Sequence, residues 1–254
     1  MNKYLIVDLK GGLGNQLFTI SFAQYLKQKG FRVIIDTSFY KQSHDFPRKL
    51  NIDINDFGFQ SSVNINSDLV FKLINSRFEE INDIKEIHLK FVNRFKGYYQ
   101  NTKFLDKNYL KKSLSINDEK KKNSLLIHIR RGDYIRLKED LRMQYFYDAF
   151  NYINKFKKNL KIDVFTDDEN FNENNLSNIR INKLYNSQNE NPLKIFKEMA
   201  RYENYIISNS TYSFLAALLG ENKNSIICYP NPWMRNSSLE IIDLPEKWIP
   251  VKNI

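Results

Sequence analysis

The chain has a single cysteine, Cys228, so an intramolecular disulfide is excluded. Its three histidines, His44, His88 and His128, are scattered. Zinc sites draw on clustered Cys and His, so no zinc centre is expected. Long apolar runs are also lacking, since no stretch approaches the ~18 residues that a membrane-spanning helix needs. The opening MNKYLIVDLKGG has only a short apolar stretch, and Asp8 interrupts it. That argues against a secretory signal and predicts a soluble protein of the reducing cytosol. Negative charge is scarce as well, with 29 Asp and Glu against 39 Lys and Arg, a formal net charge of +10. This balance suits RNA, an anionic membrane face or a nucleotide-linked substrate, and charge alone does not choose among them.

What the chain does have is material for a core. Its 254 residues are 42% hydrophobic and 14% aromatic, enough for one large globular domain or two lobes of ordinary size. The segment from Lys3 to Ser38 reads as strand 4–9, glycine loop 10–15, amphipathic helix 16–29 and strand 31–36, a βαβ unit with Gly30 as the stop. Residues 41–110 are polar and poorly periodic. Residues 111–123, KKSLSINDEKKKN, read as a solvated connector between lobes 1–110 and 124–254, with a basic strip against a membrane as the other reading. Alternation then resumes: strand 124–130, helix 143–157, strand 161–166, helix 192–201, strand 204–208, helix 211–219, strand 225–229. Strands alternating with helices predict α/β architecture with mostly parallel sheet, and ligands in such sheets sit at the carboxyl ends of strands.

The most informative stretch lies at one of those ends. Leu126-Ile127-His128-Ile129-Arg130-Arg131-Gly132-Asp133-Tyr134 runs an apolar strand into a glycine turn that carries an imidazole, two guanidiniums and a carboxylate. Side chains alternate across a strand, so His128 and Arg130 share a face and Arg131 takes the other. A guanidinium fork holds phosphate oxygens through paired hydrogen bonds, which suits a diphosphate ligand. Arg130, beside His128, is therefore expected on the ligand, with Arg131 pairing Asp133 or another acid to brace the turn. A surface ion-pair turn is the competing reading.

Other strand ends carry weaker signals. Gly11-Gly12-Leu13-Gly14-Asn15-Gln16 can bring backbone NH groups to an anion at a helix N-terminus, but it lacks the third glycine of a dinucleotide fingerprint and the lysine of a P-loop. Asp36 reads as a cap or turn residue more readily than as a ribose ligand. Asp167 and Asp168 diverge as neighbours, which favours hydrogen bonds to a ribose, base or backbone over a metal. In Ser208-Asn209-Ser210-Thr211-Tyr212-Ser213 the polar side chains can cap the following helix or meet phosphate. Phe91, Phe95, Tyr98, Tyr99 and Phe104 read as core packing or as stacking groups.

Taken in order, GGLGNQLF at 11–18, GYYQ at 97–100, HIRRGDY at 128–134, FTDD at 165–168, SNSTYS at 208–213 and YPNPW at 229–233 make the chain resemble the bacterial α-1,2-fucosyltransferases of glycosyltransferase family 11. The resemblance spans residues 4 to about 233. It implies a GT-B fold of two Rossmann-like lobes facing a central cleft, the N-terminal lobe on the acceptor side and the C-terminal lobe binding the donor. It further implies GDP-L-fucose as donor, a terminal galactose on a glycan as acceptor, inversion at the anomeric carbon, and no metal or other cofactor. Nucleic acid is not an expected partner, and peripheral contact with the cytoplasmic face of the inner membrane is. By this resemblance Arg130 contacts the donor diphosphate; His128 lies beside it to assist, and Asp133, Glu139 and Asp140, just beyond the clamp strand, are candidates for the base. Gly12, Gly14, Asn15, Gln16, Arg131, Asp167, Asp168, Asn209, Ser210, Thr211 and Ser213 are the further donor-site candidates. Two departures stand out: Phe214-Leu215 replaces the family's paired aromatics, and the histidine common upstream is missing from MARYENYIISNS.

Overall fold

The computed structural model describes residues 4–43, 48–61, 92–186, 190–235 and 243–253. The chain divides into two compact units, Met1–Leu114 and Ser115–Ile254. His44, His88 and Phe91 lie outside the described residues.

In the first unit, β1 (Tyr4–Asp8), α1 (Leu13–Gln28) and β2 (Arg32–Asp36) form the expected βαβ. Helix α1 starts three residues earlier than its sequence pattern suggests, because Gly12 takes the cap position and Leu13 is already buried. Two further strands, β3 (Gln60–Ser61) and β4 (Val92–Phe95), complete a parallel sheet of order β3-β2-β1-β4. Phe22 of α1 stacks on Tyr99 at 3.9 Å and meets Phe95 and Phe104 edge-on. Core packing is thus the role of those three aromatics, while Tyr98 stays 40% exposed. Helix α2 (Lys107–Leu114) ends the unit, its Leu110 and Leu114 buried one turn apart.

The second unit comprises β5 (Ser124–Ile129), α3 (Gly132–Leu137), α4 (Met143–Phe156), β6 (Lys161–Thr166), β7 (Lys183–Asn186), α5 (Pro192–Met199), β8 (Asn204–Ile206), α6 (Thr211–Gly220), β9 (Ile227–Asn231) and β10 (Ile249–Lys252). All pairings are parallel, in the order β10-β9-β8-β5-β6-β7. Counted from β5, this is the 3-2-1-4-5-6 order of the doubly wound dinucleotide-binding sheet, read from the far edge. Its reversal falls between β5 and β8. Connections leave those two strands in opposite directions there, which opens a crevice at their carboxyl ends.

Both faces of β5 are covered, and all six of its residues are buried. Leu125, Ile127 and Ile129 pack with Tyr145, Phe146, Ala149 and Ile153 of α4. On α4 these recur at helical spacing, giving one apolar stripe. Helix α6 is buried from Ser213 to Gly220, as suits an element hydrophobic all round.

The lysine-rich segment 111–123 is not a bare connector. Its first four residues are the last turn of α2, since burying Leu114 extends the helix. Farther on, Lys121 Nζ lies 2.6 Å from Glu198 Oε1 and donates to the Tyr202 hydroxyl at 2.8 Å, and Lys120 Nζ donates to the Ala200 carbonyl. Paired lysines therefore moor this stretch to the second unit.

Candidate functional site

The crevice between β5 and β8 is where the polar motifs converge. His128, the fifth residue of β5, is 5% exposed and shares a 2.7 Å hydrogen bond between its Nδ1 and Ser208 Oγ, just beyond β8. Burial pushes the His128 pKa down to about 4, with Asp167 opposing and the Arg130 guanidinium assisting the shift. At neutral pH His128 is thus a neutral hydrogen-bonding group, not a cation.

After β5 the chain turns into α3, and Arg130 meets two carboxylates. One guanidinium nitrogen, Nη2, pairs with Asp133 Oδ1, and the other, Nη1, with Asp167 Oδ2. The guanidinium also lies over the Tyr134 ring, 5.3 Å from its centroid. Asp167 does more than pair: its Oδ1 accepts from the backbone N–H of Arg131 at 2.8 Å and of Gly132 at 3.0 Å. A Cβ on Gly132 would stand 2.6 Å from Asp167 Oδ2, so glycine is what lets the carboxylate seat there. Arg131 Nε lies 3.1 Å from Asp168 Oδ2, an ion pair without hydrogen-bond alignment. Asp168 Oδ1 accepts from the Asn170 N–H. The partner of Asp133 is therefore Arg130, and Arg131 takes another acid, Asp168. Of the alternatives for Asp167 and Asp168, backbone and guanidinium contacts are what the structure shows.

The β8 loop closes on this cluster. Tyr134 Oη donates to the Asn209 carbonyl at 3.1 Å, tying α3 to the loop. Asn209 Nδ2 donates to the Glu139 carbonyl at 2.9 Å, while its buried Oδ1 has no hydrogen-bond partner. Ser210 caps α6, its Oγ accepting from the Tyr212 N–H, and Thr211 is the first residue of that helix. Ser213 is fully buried, and its hydroxyl donates to the Ser208 and Ser210 carbonyls. It braces the loop, because a buried hydroxyl must satisfy itself internally. Glu139 Oε2 accepts from the Arg235 N–H, and Arg235 Nη1 donates to the Asp140 carbonyl. Arg235 was invisible to motif reading because no pattern surrounds it.

The glycine loop belongs to the other unit and makes a cluster of its own. Gly11 has φ +81, and its carbonyl accepts from Gln16 Nε2 and Tyr40 Oη. Gln16 is fully buried, its Nε2 also donating to the Lys49 carbonyl and its Oε1 accepting from the Asn51 N–H. The side-chain amide of Gln16 thus ties the glycine loop to the Lys49–Asn51 segment. Asn15 Oδ1 accepts from Gln100 Nε2 at 2.8 Å, bringing GGLGNQ and GYYQ together. Gly12 caps α1 with open space at its Cβ position, and Gly14 is buried inside the helix.

Beside that loop, Arg94 joins three strand ends. Its Nε lies 2.7 Å from Asp8 of β1 and its Nη2 2.7 Å from Asp36 of β2. Burial raises the Asp8 pKa, with Arg94 acting against it. Asp36 Oδ1 accepts from the Ser38 N–H, the turn role expected of it. Among the described residues, no group of three or more His, Cys, Asp or Glu is placed to hold a metal ion.

The sequence model described as Glycosyl transferase family 11 matches residues 88–249. That span holds GYYQ, HIRRGDY, FTDD, SNSTYS and YPNPW, while the glycine loop precedes it. An Alpha-1,2-colitosyltransferase of Escherichia coli is 27% identical, the alignment covering 98% of this chain and 99% of that protein. Among solved structures, a glycosyl transferase of family 9 from Veillonella parvula is similar, with TM-score 0.50 and 10% identity over 100% of this chain and 88% of that one. The fucosyltransferase NodZ from Bradyrhizobium has TM-score 0.48 and 13% identity over 86% of this chain and 94% of its own. The family 9 likeness bears on fold alone, and it agrees with two parallel α/β units.

Proposed function

The chain belongs to glycosyl transferase family 11, and from that premise we propose that it is an inverting, metal-independent fucosyltransferase. Its donor is GDP-L-fucose and its acceptor the 2-hydroxyl of a terminal galactose on a surface glycan. The observation that carries the reading is the guanidinium pair Arg130 and Arg131 at the carboxyl end of β5, beside the point where strand order reverses.

The reaction breaks the bond between fucose C1 and the β-phosphate oxygen, and the electron pair leaves with GDP. The acceptor oxygen bonds C1 from the opposite face and gives up its proton. Charge therefore develops on the diphosphate, and preorganised donors aimed there lower the barrier. Arg130 supplies the opposing positive charge, as a metal ion does in other transferases. In the resting cluster two arginines face three carboxylates, a formal balance of −1. Diphosphate binding must then exchange at least one carboxylate on Arg130 for phosphate oxygens, and Asp133, released from its pair, becomes available to take the acceptor proton. Neutral His128 holds Ser208 and orients the β8 loop. Asn209, Ser210 and Thr211 offer backbone groups to the nucleotide. The protein works at the cytoplasmic face of the inner membrane.

A second reading rests on the Escherichia coli relative. Colitose is fucose lacking the 3-hydroxyl, so GDP-colitose would use the same diphosphate clamp and differ only in the sugar pocket. The test is transfer to a β-galactoside in the presence of EDTA, with GDP-L-fucose and GDP-colitose in parallel and the product linkage read by NMR. An α-1,2-fucosyl product is expected. Transfer from GDP-colitose alone selects the second reading, and transfer only from a UDP-sugar would overturn both.

A further inference from the structure

The edge of the second sheet opposite the candidate site carries a feature the transferase chemistry does not use. Phe156, the last residue of α4, is 63% exposed, the most exposed large apolar side chain among the described residues. It stands in the sequence Lys155-Phe156-Lys157-Lys158-Asn159-Leu160-Lys161, and no acid occurs between Asp148 and Asp163. Lys155, Lys158 and Lys161 are exposed, and Lys157 is half-buried. Topology places more lysines on the same edge. Lys161 begins β6 and its N–H donates to the Asn123 carbonyl at 2.8 Å, beside exposed Lys122, while Lys183 begins β7 in register with Asp163. The acids nearby are engaged: Glu203 accepts from the Asn123 N–H, and Asp163 from Tyr202 and Asn182.

We propose that this edge, centred on Phe156 and its flanking lysines, docks the protein onto anionic phospholipid headgroups. Leaving a phenyl ring in water is unfavourable, and the ring is retained here at the centre of a charged face. Lysine stems lie along an apolar surface while the ammonium groups reach the headgroups. The cations that flank Phe156 are lysines, point charges that follow a diffuse negative potential, whereas phosphate-reading sites on nucleic acid favour the planar arginine fork. The Phe156 ring packs against Tyr152, 5.4 Å between centroids, and this single apolar tip suits insertion into an interface. The carboxyl edge of β5 would then stand roughly 20 Å from the lipid, the length of a six-residue strand.

The test is flotation of the full chain with vesicles of phosphatidylcholine alone or mixed with phosphatidylglycerol, at about 0.1 M salt, alongside a single-stranded RNA. Binding is expected only with phosphatidylglycerol. K155Q/K158Q should weaken it roughly 30-fold, since each lysine near the surface contributes about fivefold. Phe156→Ser should weaken it about tenfold, and Phe156→Trp should blue-shift its emission on adding anionic vesicles. All three positions lie far from Arg130, so GDP binding by each variant verifies folding independently. Equal flotation with neutral vesicles, anionic binding unaltered in the variants, or retention by RNA instead would each overturn the proposal, whether or not the transferase reading holds.

Discussion

Arg130 is held by two carboxylates through separate nitrogens, an arrangement that requires a planar fork. Arg130→Lys keeps the charge and loses the geometry, so turnover should fall on the order of 100-fold while the melting temperature stays near wild type. Near-normal kcat in that variant would contradict the fork argument. Gly132→Ala tests the same cluster from the backbone side. A methyl group there collides with Asp167, so the carboxylate must leave its two N–H donors. A loss of about 1–3 kcal/mol in stability, seen in urea denaturation, should accompany a loss of turnover. His128 gives a pH signature. Its folded pKa of about 4 lies below the ordinary 6.5, so its neutral form is favoured by folding. That contribution is complete above pH 6.5 and is lost as pH falls from 6.5 towards 4. Urea midpoints followed across that range should drop for the wild type and flatten for His128→Gln; parallel curves would refute the assignment. At this scale sequence reading was effective where chemistry is local. HIRRGD and FTDD announce themselves, yet which acid meets which arginine depends on the pairing of β5 with β6, 36 residues apart.

Arg94 is the clearest case at the level of elements. One guanidinium joins Asp8 of β1 and Asp36 of β2 from its place on β4, stitching three neighbouring strands at one end of the first sheet. Arg94→Met would leave two carboxylates facing each other with little solvent, at a cost on the order of 3 kcal/mol. Chemical denaturation should register that cost, and a double variant with Asp36→Asn should recover part of it. Strands built on apolar runs, such as β1 and β5, were legible because burial on both faces demands such runs. Strands β4, β7 and β10 were not. Their residues, VNRF, KLYN and IPVK, mix polar and apolar groups, and they form because a neighbouring strand supplies the pairing. Helix α3 was missed for a similar reason. Its six residues bury nothing, and Asp167 from another strand accepts its first N–H groups.

At the scale of the whole molecule, the complement of 39 lysines and arginines has two destinations. Part of it is internal bracing, as with Lys121 against Glu198 and Arg94 against Asp8 and Asp36. Part remains outward on the edge around Phe156. The doubly wound order of the second sheet could not be read from the sequence, since strand order follows from which crossovers return to which edge. Once known, it places HIRRGD, FTDD and SNST on neighbouring strand ends of the second sheet. Sequence order alone had separated the first from the last by 80 residues.

The proposed function requires this cluster to bind a guanosine diphosphate sugar through Arg130 without a metal. Thermal stabilisation by GDP, compared with UDP and ADP in EDTA, tests it most directly, because a ligand that binds only the folded state raises the melting temperature with the logarithm of its concentration. The expected shift is largest with GDP among the three, insensitive to EDTA and absent in Arg130→Ala. A shift that needs magnesium, that favours UDP, or that survives Arg130→Ala would contradict it.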